Sequence, residues 1–129
     1  MDTLILCLDR NGGKTFGGRR QSEDREIRKK MLSLFPAITC DSYTALQFEN
    51  NRKHQLLVKD RIDGTEDAVF LEKGNPENYR FRHLIVFRFH RDYPSTETYD
   101  PISNGFRPVR SEDFAGYSHD VITMEEYTK

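Results

Sequence analysis

Short hydrophobic runs, separated by residues that favour turns, dominate the pattern of this chain. Thr3–Asp9 is almost continuously apolar and contains no glycine or proline, which is typical of a strand buried on both faces. Arg82–His90 alternates instead, with Leu84 and Val86 on one side and three larger apolar residues on the other. This alternation predicts a central strand.

One segment between these strands has the spacing of an amphipathic helix. Four apolar residues at i, i+4, i+7 and i+8 form a single stripe: Ile27, Met31, Leu34 and Phe35. We predict that Ser22 caps this helix, that Asp24 lies in its first turn, and that Pro36 ends it.

The remaining candidate strands are short and become more frequent toward the C-terminus. They are Ala37–Cys40, Gln55–Lys59, Ala68–Leu71, Phe106–Val109 and Asp120–Tyr127. Helical segments separate the early strands, whereas the late strands follow one another closely. This order predicts an α/β fold with a mixed central sheet, few helices and a C-terminal hairpin.

The composition is that of one globular domain, and we assign residues 1–129 to it. The chain has 129 residues, of which 36% are hydrophobic, and a formal charge of −1. The longest apolar run, Leu4–Leu8, is far shorter than the ~20 residues that span a bilayer. Cys7 and Cys40 form neither a disulfide framework nor a zinc-type spacing, which favours a cytoplasmic location.

Charge is distributed unevenly along the chain. Residues 10–30 contain eight basic and three acidic residues, whereas residues 92–129 contain eight acidic and three basic residues. Such runs are usual on solvated surfaces, but basic residues at the entrance of a binding cleft could also attract an anionic ligand. A basic segment could likewise hold an RNA or a protein partner.

Three motif-like features carry little chemistry on their own. The four histidines have no spacing typical of a metal centre, and the H-x-H-x-D-H motif of ribonuclease Z is absent. Gly13-Lys14-Thr15 lacks the upstream glycine of a phosphate-binding loop. Ser118-His119-Asp120 cannot form a relay among themselves, because adjacent strand residues point to opposite faces, so we interpret them as polar residues at a strand start.

The order of these segments resembles the dihydrofolate reductase family over almost the whole chain. TLILCLDRNGG is similar to that family's first strand and glycine-containing loop, and GRRQSEDREIRKKM to the segment leading into its first helix. AITCDSYTALQF and DAVFLEKGNPENY resemble the two segments that contact the nicotinamide cofactor. The resemblance implies a pterin-binding carboxylate at Asp24 and cofactor contacts at Thr44 and Gly74.

The sequence departs from the family's pattern mainly in the cofactor half. Asp41-Ser42-Tyr43 stands where the family has Gly-Arg before the threonine, and Glu72-Lys73 replaces a double glycine, leaving only Gly74. These changes remove the glycine that lets the backbone approach a phosphate closely and the arginine that would bind it. They also add a carboxylate that repels phosphates. The resemblance therefore implies a degraded dinucleotide site and no efficient use of NADPH.

We therefore expect a cytoplasmic protein that binds a small planar heterocycle, either a pterin or a nucleotide base. The expected cleft is lined by Leu6, Asp24 and Met31, with Asp24 as the catalytic residue if any reaction occurs. Burial would raise the pKa of Asp24 and let it grip or protonate the heterocycle. A purely structural role for Asp24 at the helix start, and an RNA- or protein-interaction domain using residues 10–30, are the alternatives.

Overall fold

A computed structural model describes residues 2–129 of the chain and contains ten strands and two α-helices. The strands are β1 Thr3–Leu8, β2 Gly13–Phe16, β3 Arg19–Arg20, β4 Ile38–Cys40, β5 Leu56–Val58, β6 Ala68–Phe70, β7 His83–Phe89, β8 Glu97–Thr98, β9 Arg107–Phe114 and β10 Ile122–Thr128. The α-helices are α1 Arg25–Leu34 and α2 Ser42–Ala45, and short 3₁₀ helices cover Asn50–Gln55 and Pro76–Asn78.

Seven strands form one mixed sheet in the order β5-β4-β6-β1-β7-β10-β9. Strand β1 is parallel to both β6 and β7, and β4 is parallel to β5 and β6. Strand β10 is antiparallel to β7 and to β9, so β9 and β10 form the C-terminal hairpin. The predicted α/β class and mixed central sheet are therefore confirmed.

The central strand β1 is buried on both faces, as its apolar sequence predicts. Ile5 packs with Ile27 and Met31 on the face covered by α1. Leu4 and Leu6 belong to a separate apolar cluster on the opposite face. Because side chains alternate along a strand, one apolar segment supplies both layers of the core.

Helix α1 begins two residues later than a Ser22 cap requires. Asp24 is the N-cap, and its carboxylate accepts a hydrogen bond from the Glu26 N–H at 2.8 Å. The prediction that Ser22 caps the helix is therefore wrong, since a carboxylate in the capping position already satisfies an early helical N–H. The buried stripe also includes Leu32, whereas Leu34 is 39% exposed.

Other differences arise where hydrophobic pattern carries little information. Strand β9 is longer than the predicted Phe106–Val109, because an edge strand with mostly exposed side chains has no apolar alternation to reveal it. The polar stretch Asn50–Gln55 forms a 3₁₀ helix, which no apolar spacing in the sequence indicates. Among residues 2–129, no helix has the length and apolar character that crossing a membrane requires.

Candidate functional site

The carboxyl ends of the parallel strands meet at one edge of the large sheet, which is where open α/β sheets usually bind ligands. Asp9 follows β1, Asp41 follows β4, and Glu72 lies two residues beyond β6. Asp9 and Glu72 are buried. Of the polar site residues predicted from the sequence, Thr44 lies near this edge and Asp24 lies at the start of α1.

Asp24 lies at the start of α1 and is fully engaged by the protein itself. One carboxylate oxygen accepts hydrogen bonds from the N–H groups of Glu26 at 2.8 Å and Tyr117 at 2.9 Å. The other accepts from the Ser118 N–H at 3.0 Å and lies 2.9 Å from Nδ1 of His119. With a side-chain exposure of 0%, this carboxylate has no face open to a ligand.

The charge state of Asp24 also differs from the sequence-based expectation. Burial acts to raise its pKa, but hydrogen bonds from Tyr117, His119, Glu26 and Ser118 favour the carboxylate and hold the pKa at about 2. The expected net rise in this pKa is therefore wrong, because the hydrogen bonds outweigh the effect of burial. An acid that is ionised at neutral pH has no proton to give to a heterocycle.

His119 connects Asp24 to two hydroxyl groups from distant segments. Its Nδ1 lies 2.9 Å from Asp24, while its Nε2 lies 3.1 Å from Ser22 Oγ and 3.0 Å from Tyr93 OH. The Phe89 ring packs against the imidazole at a tilt of 35°, with ring centroids 4.6 Å apart. No local motif reveals this cluster, because its members lie up to 97 positions apart in the sequence.

Residues 118–120 therefore differ from their sequence interpretation. They lie in the segment before β10, which begins at Ile122, and not at a strand start. Ser118 Oγ lies 3.2 Å from Asp24 and 3.3 Å from His119 Nδ1. The polar contacts of the His119 ring are thus made mainly with Asp24, Ser22 and Tyr93 rather than with Asp120.

The strand edge near Cys7 is closed by the β2–β3 hairpin. Arg20 of this hairpin makes two hydrogen bonds with the Glu72 carboxylate, at 2.9 and 3.0 Å, and Lys14 Nζ donates to the Glu72 carbonyl at 2.7 Å. Gln47 donates to the same carboxylate at 3.0 Å. The remaining cavity beside Cys7 is about 10 Å³, which is room for a single water molecule.

Thr44 and Gly74, the two predicted cofactor residues, do not form one binding surface. Thr44 is fully buried, its N–H donates to Asp41 at 2.7 Å, and its Oγ1 has no hydrogen-bond partner among the described residues. Gly74 is exposed and has a φ of +100°, so it provides a turn that other residues rarely adopt. The charged group held near the end of β6 is the Glu72 carboxylate.

The two predicted substrate residues lie on opposite faces of the sheet. Met31 packs on the α1 face and Leu6 in the cluster on the other face, and both side chains are completely buried. Leu6, Asp24 and Met31 therefore do not line one cleft, and this part of the site prediction is wrong. The two apolar residues contribute to the two core layers.

A more open concavity lies beside α1, and we call it the α1 cavity. Its volume is about 240 Å³. Four cationic side chains border it: Arg25, Arg28, Lys29 and Arg52. Leu32 and Phe48 supply apolar surface, and Glu26 and Glu49 complete the lining, leaving a net charge of +2.

One cation of the α1 cavity has unused hydrogen-bonding capacity. Nη1 of Arg28 is buried and has no hydrogen-bond partner among residues 2–129. The nearest carboxylate oxygen, on Glu23, is 3.8 Å away, which is an ion pair without a hydrogen bond. Buried donors are normally satisfied, so the unpartnered Nη1 marks Arg28 as a side chain of this cavity with spare hydrogen-bonding capacity.

Most other cations of residues 10–30 are paired with acids. Besides Arg20 with Glu72, Lys30 lies 2.6 Å from Glu112, and Arg10 lies 3.8 Å from Asp92. The described residues contain no cluster of three or more metal-ligating side chains. The basic segment is thus largely neutralised outside the α1 cavity.

Comparison with known proteins identifies the fold. No protein-family model and no curated protein matches this sequence. The structure is similar to a dihydrofolate reductase from Enterococcus faecalis complexed with NADP(H) and RAB-propyl, with a TM-score of 0.60 and 9% identity. The match covers 99% of this chain and 95% of that chain. The chain therefore has the dihydrofolate reductase fold, as the sequence resemblance implied.

Proposed function

We propose that this protein is a cytoplasmic binder of a small planar heterocycle that carries negative charge, and that the α1 cavity holds the ligand. The observation that carries the proposal is the α1 cavity itself, where Arg28, Arg52 and two apolar side chains meet. Arg28 also has a buried Nη1 with no hydrogen-bond partner among the described residues. The ligand class includes pterins with an acidic substituent and nucleotide bases with a phosphate.

The size and chemistry of the cavity support this class of ligand. A volume of about 240 Å³ lies just below the range of roughly 300–1,000 Å³ usual for drug-sized ligands, so a compact ring system suits it. Leu32 and Phe48 offer apolar contact to the flat faces of a ring. The guanidinium groups of Arg28 and Arg52 suit a carboxylate or a phosphate, because each presents several donors in one plane.

In this proposal Asp24 supports the cavity without touching the ligand. It caps α1, the helix that carries Arg25, Arg28 and Lys29. Its hydrogen bonds to the segment of Tyr117 also hold that ring under Arg25, whose guanidinium lies 3.9 Å from the ring centroid. Asp24 therefore helps to fix the start of α1 and the position of the Tyr117 ring beneath Arg25.

The proposal includes a dinucleotide site that no longer functions. The buried Glu72 carboxylate lies at the end of β6, and Arg20 and Gln47 hold it in place. A fixed negative charge in this position repels a pyrophosphate. Thr44 is buried away from solvent, so the residues present do not fit NADPH.

Calorimetric titration with folate and with NADPH tests both halves of the proposal. We expect folate to bind the wild type and to bind about tenfold or more weakly to Arg28→Gln and to Arg52→Gln, since each variant loses a charged hydrogen-bond donor. Arg110→Gln is the matched control, because Arg110 is exposed on β9 and pairs with Glu126. No folate binding, or equal weakening in the control, overturns the ligand proposal; tight NADPH binding overturns the cofactor proposal.

Binding of RNA or protein through residues 10–30 is the alternative function. Ion pairing of Arg20, Lys30 and Arg10 weighs against it, because only unbalanced cations bind a polyanion strongly. Retention of RNA that declines steeply with salt, and that Arg19→Glu weakens, would favour the alternative. Retention that is absent at low salt would count against it.

A further inference from the structure

One edge of the large sheet is formed by β9, the longest strand among residues 2–129. It spans eight residues, Arg107–Phe114, and lies last in the strand order, with β10 on one side only. Most of its side chains are exposed, including Val109 at 60%. The strand at the opposite edge, β5, has only three residues. A long exposed edge strand offers unpaired N–H and C=O groups to another strand.

The register of β10 identifies which backbone groups of β9 point outward. Directly after β10, the N–H of Lys129 donates to the Arg82 carbonyl, on the β7 side, at 3.2 Å. Successive residues of an antiparallel strand direct their backbone groups to opposite sides, so Met124 directs its groups toward β9, where it pairs with Glu112. Ser111, the neighbour of Glu112 along β9, therefore directs its N–H and C=O away from the sheet.

We propose that β9 pairs with β9 of a second copy of this chain, antiparallel and centred on Ser111, so that the two large sheets join across a two-fold axis. The N–H of each Ser111 then donates to the Ser111 carbonyl of the other copy. Arg110 of each copy lies opposite Glu112 of the other, which gives two cross-strand pairs of opposite charge. The same patch is used on both copies, as in most symmetric dimers.

Charge selects this register from the other symmetric ones. A two-fold axis at Arg110, Glu112 or Asp113 would place like charges directly opposite each other, which is unfavourable. An axis at Ser111 avoids these contacts and matches Arg110 with Glu112. Pro108 has no N–H to donate, so it limits the paired stretch to residues 109–113. The sequence of β9 is thus self-complementary around Ser111, which favours a second copy over an unrelated strand.

The ion pairs already present at β9 are compatible with this arrangement. Nζ of Lys30 lies 2.6 Å from Glu112, and Nε of Arg110 lies 2.5 Å from Glu126. When two copies pair, each Glu112 comes next to an Arg110 of the other copy. Charges of opposite sign then alternate across the interface, from Lys30 through Glu112 and Arg110 to Glu126. The new contacts extend the existing ion pairs and replace none of them.

Analytical ultracentrifugation over a range of concentrations tests the dimer. One strand pair is a small interface, so we expect a reversible dimer with a Kd in the micromolar range. Ser111→Pro should weaken dimerisation at least about tenfold, because proline removes the outward N–H and leaves the β9–β10 hydrogen bonds in place. Ser111→Thr is the matched control, since it keeps the N–H and should dimerise like the wild type. A wild type that stays monomeric up to about 1 mM, or a dimer that Ser111→Pro does not weaken, overturns the proposal.

A charge exchange tests the register and does not depend on a single variant. Arg110→Glu and Glu112→Arg each place like charges opposite each other in a homodimer, so each should weaken dimerisation at least about tenfold. An equimolar mixture of the two variants places opposite charges at both positions and should restore dimerisation to near the wild-type level. Lys53→Glu, at an exposed residue of the 3₁₀ helix before β5, controls for the change in net charge and should have no effect. A mixture that stays monomeric, while circular dichroism shows both variants folded, overturns the proposed pairing.

The dimer and the heterocycle site can fail separately. No residue of β9 borders the α1 cavity. Folate should therefore bind Ser111→Pro with the wild-type affinity. Arg110→Gln should weaken the dimer, because it removes the cross-strand ion pairs, and should leave the affinity for folate unchanged.

Discussion

At the scale of single residues, Asp24 joins parts of the chain that are far apart in the sequence. It caps α1 through Glu26 and holds the segment of Tyr117 and Ser118, 93 and 94 positions away. The sequence predicted an acid at the helix start, because such acids suit the helix dipole. It could not predict the distant N–H donors, since backbone groups leave no mark in the sequence.

The lowered pKa of Asp24 predicts how stability depends on acid. Its folded pKa of about 2 lies below the unfolded value of 3.8, so its contribution is complete above about pH 5 and is lost as the pH falls toward 2. We expect Asp24→Asn to lower the free energy of unfolding by about 2 kcal/mol near pH 7. Urea unfolding at a series of pH values measures this.

The control for this prediction is Asp60→Asn. Asp60 is exposed, and its carboxylate accepts hydrogen bonds from the N–H and the hydroxyl of Ser42. This variant should have a smaller effect at neutral pH, because solvent screens an exposed charge. The difference between the wild type and Asp24→Asn should narrow between pH 5 and pH 2. A difference that stays constant over this range contradicts the role given to the Asp24 charge.

At the scale of elements, the β2–β3 hairpin is held over the strand edge by Glu72. Glu72→Gln would remove the buried carboxylate that bonds the half-buried Arg20 guanidinium and leave only the more exposed Glu23 carboxylate, 3.4 Å away. We expect a loss of about 2 kcal/mol in unfolding free energy and faster hydrogen exchange of amides 13–20. Glu112→Gln, which removes a more exposed pair with Lys30, should cost under about 1 kcal/mol. Unchanged exchange in Glu72→Gln would refute this function of Glu72.

The segment between β9 and β10 packs so closely that it tolerates no added atom at Gly116. A Cβ there would collide with the His119 carbonyl oxygen and lie 2.8 Å from Asp24 Oδ2. We expect Gly116→Ala to lower the unfolding free energy by about 1–3 kcal/mol and to weaken the His119–Asp24 contact. Ser111→Thr adds one methyl group on the exposed β9 and should change stability by less than about 0.5 kcal/mol. Equal stability of the two variants would contradict the packing argument.

Elements with strong apolar patterns were predictable, and weakly patterned ones were not. β1, α1 and β7 follow from continuous, helical and alternating patterns. The full length of β9 and the irregular segment around His119 have no such pattern, because both are largely polar. The missing parts of the site lie in these weakly patterned regions.

At the scale of the whole molecule, the order of elements predicted the fold better than any residue predicted the site. The sequence resemblance and the 0.60 TM-score agree on the dihydrofolate reductase fold, although identity is only 9%. Function does not follow from this agreement, because one fold supports many sites. The prediction of one cleft lined by Leu6 and Met31 is wrong, because strand alternation puts Leu6 on the sheet face opposite α1, the helix that carries Met31.

Amide chemical-shift mapping by NMR, with folate and NADPH added separately, tests the central claim that the α1 cavity is the ligand site. We expect folate to shift the amide resonances of Arg25–Leu32 and Phe48–Arg52, and NADPH to leave those of Thr44 and Gly74 unchanged. Folate shifts confined to the β2–β3 hairpin and the end of β6, or saturable NADPH shifts at Thr44 and Gly74, would contradict it.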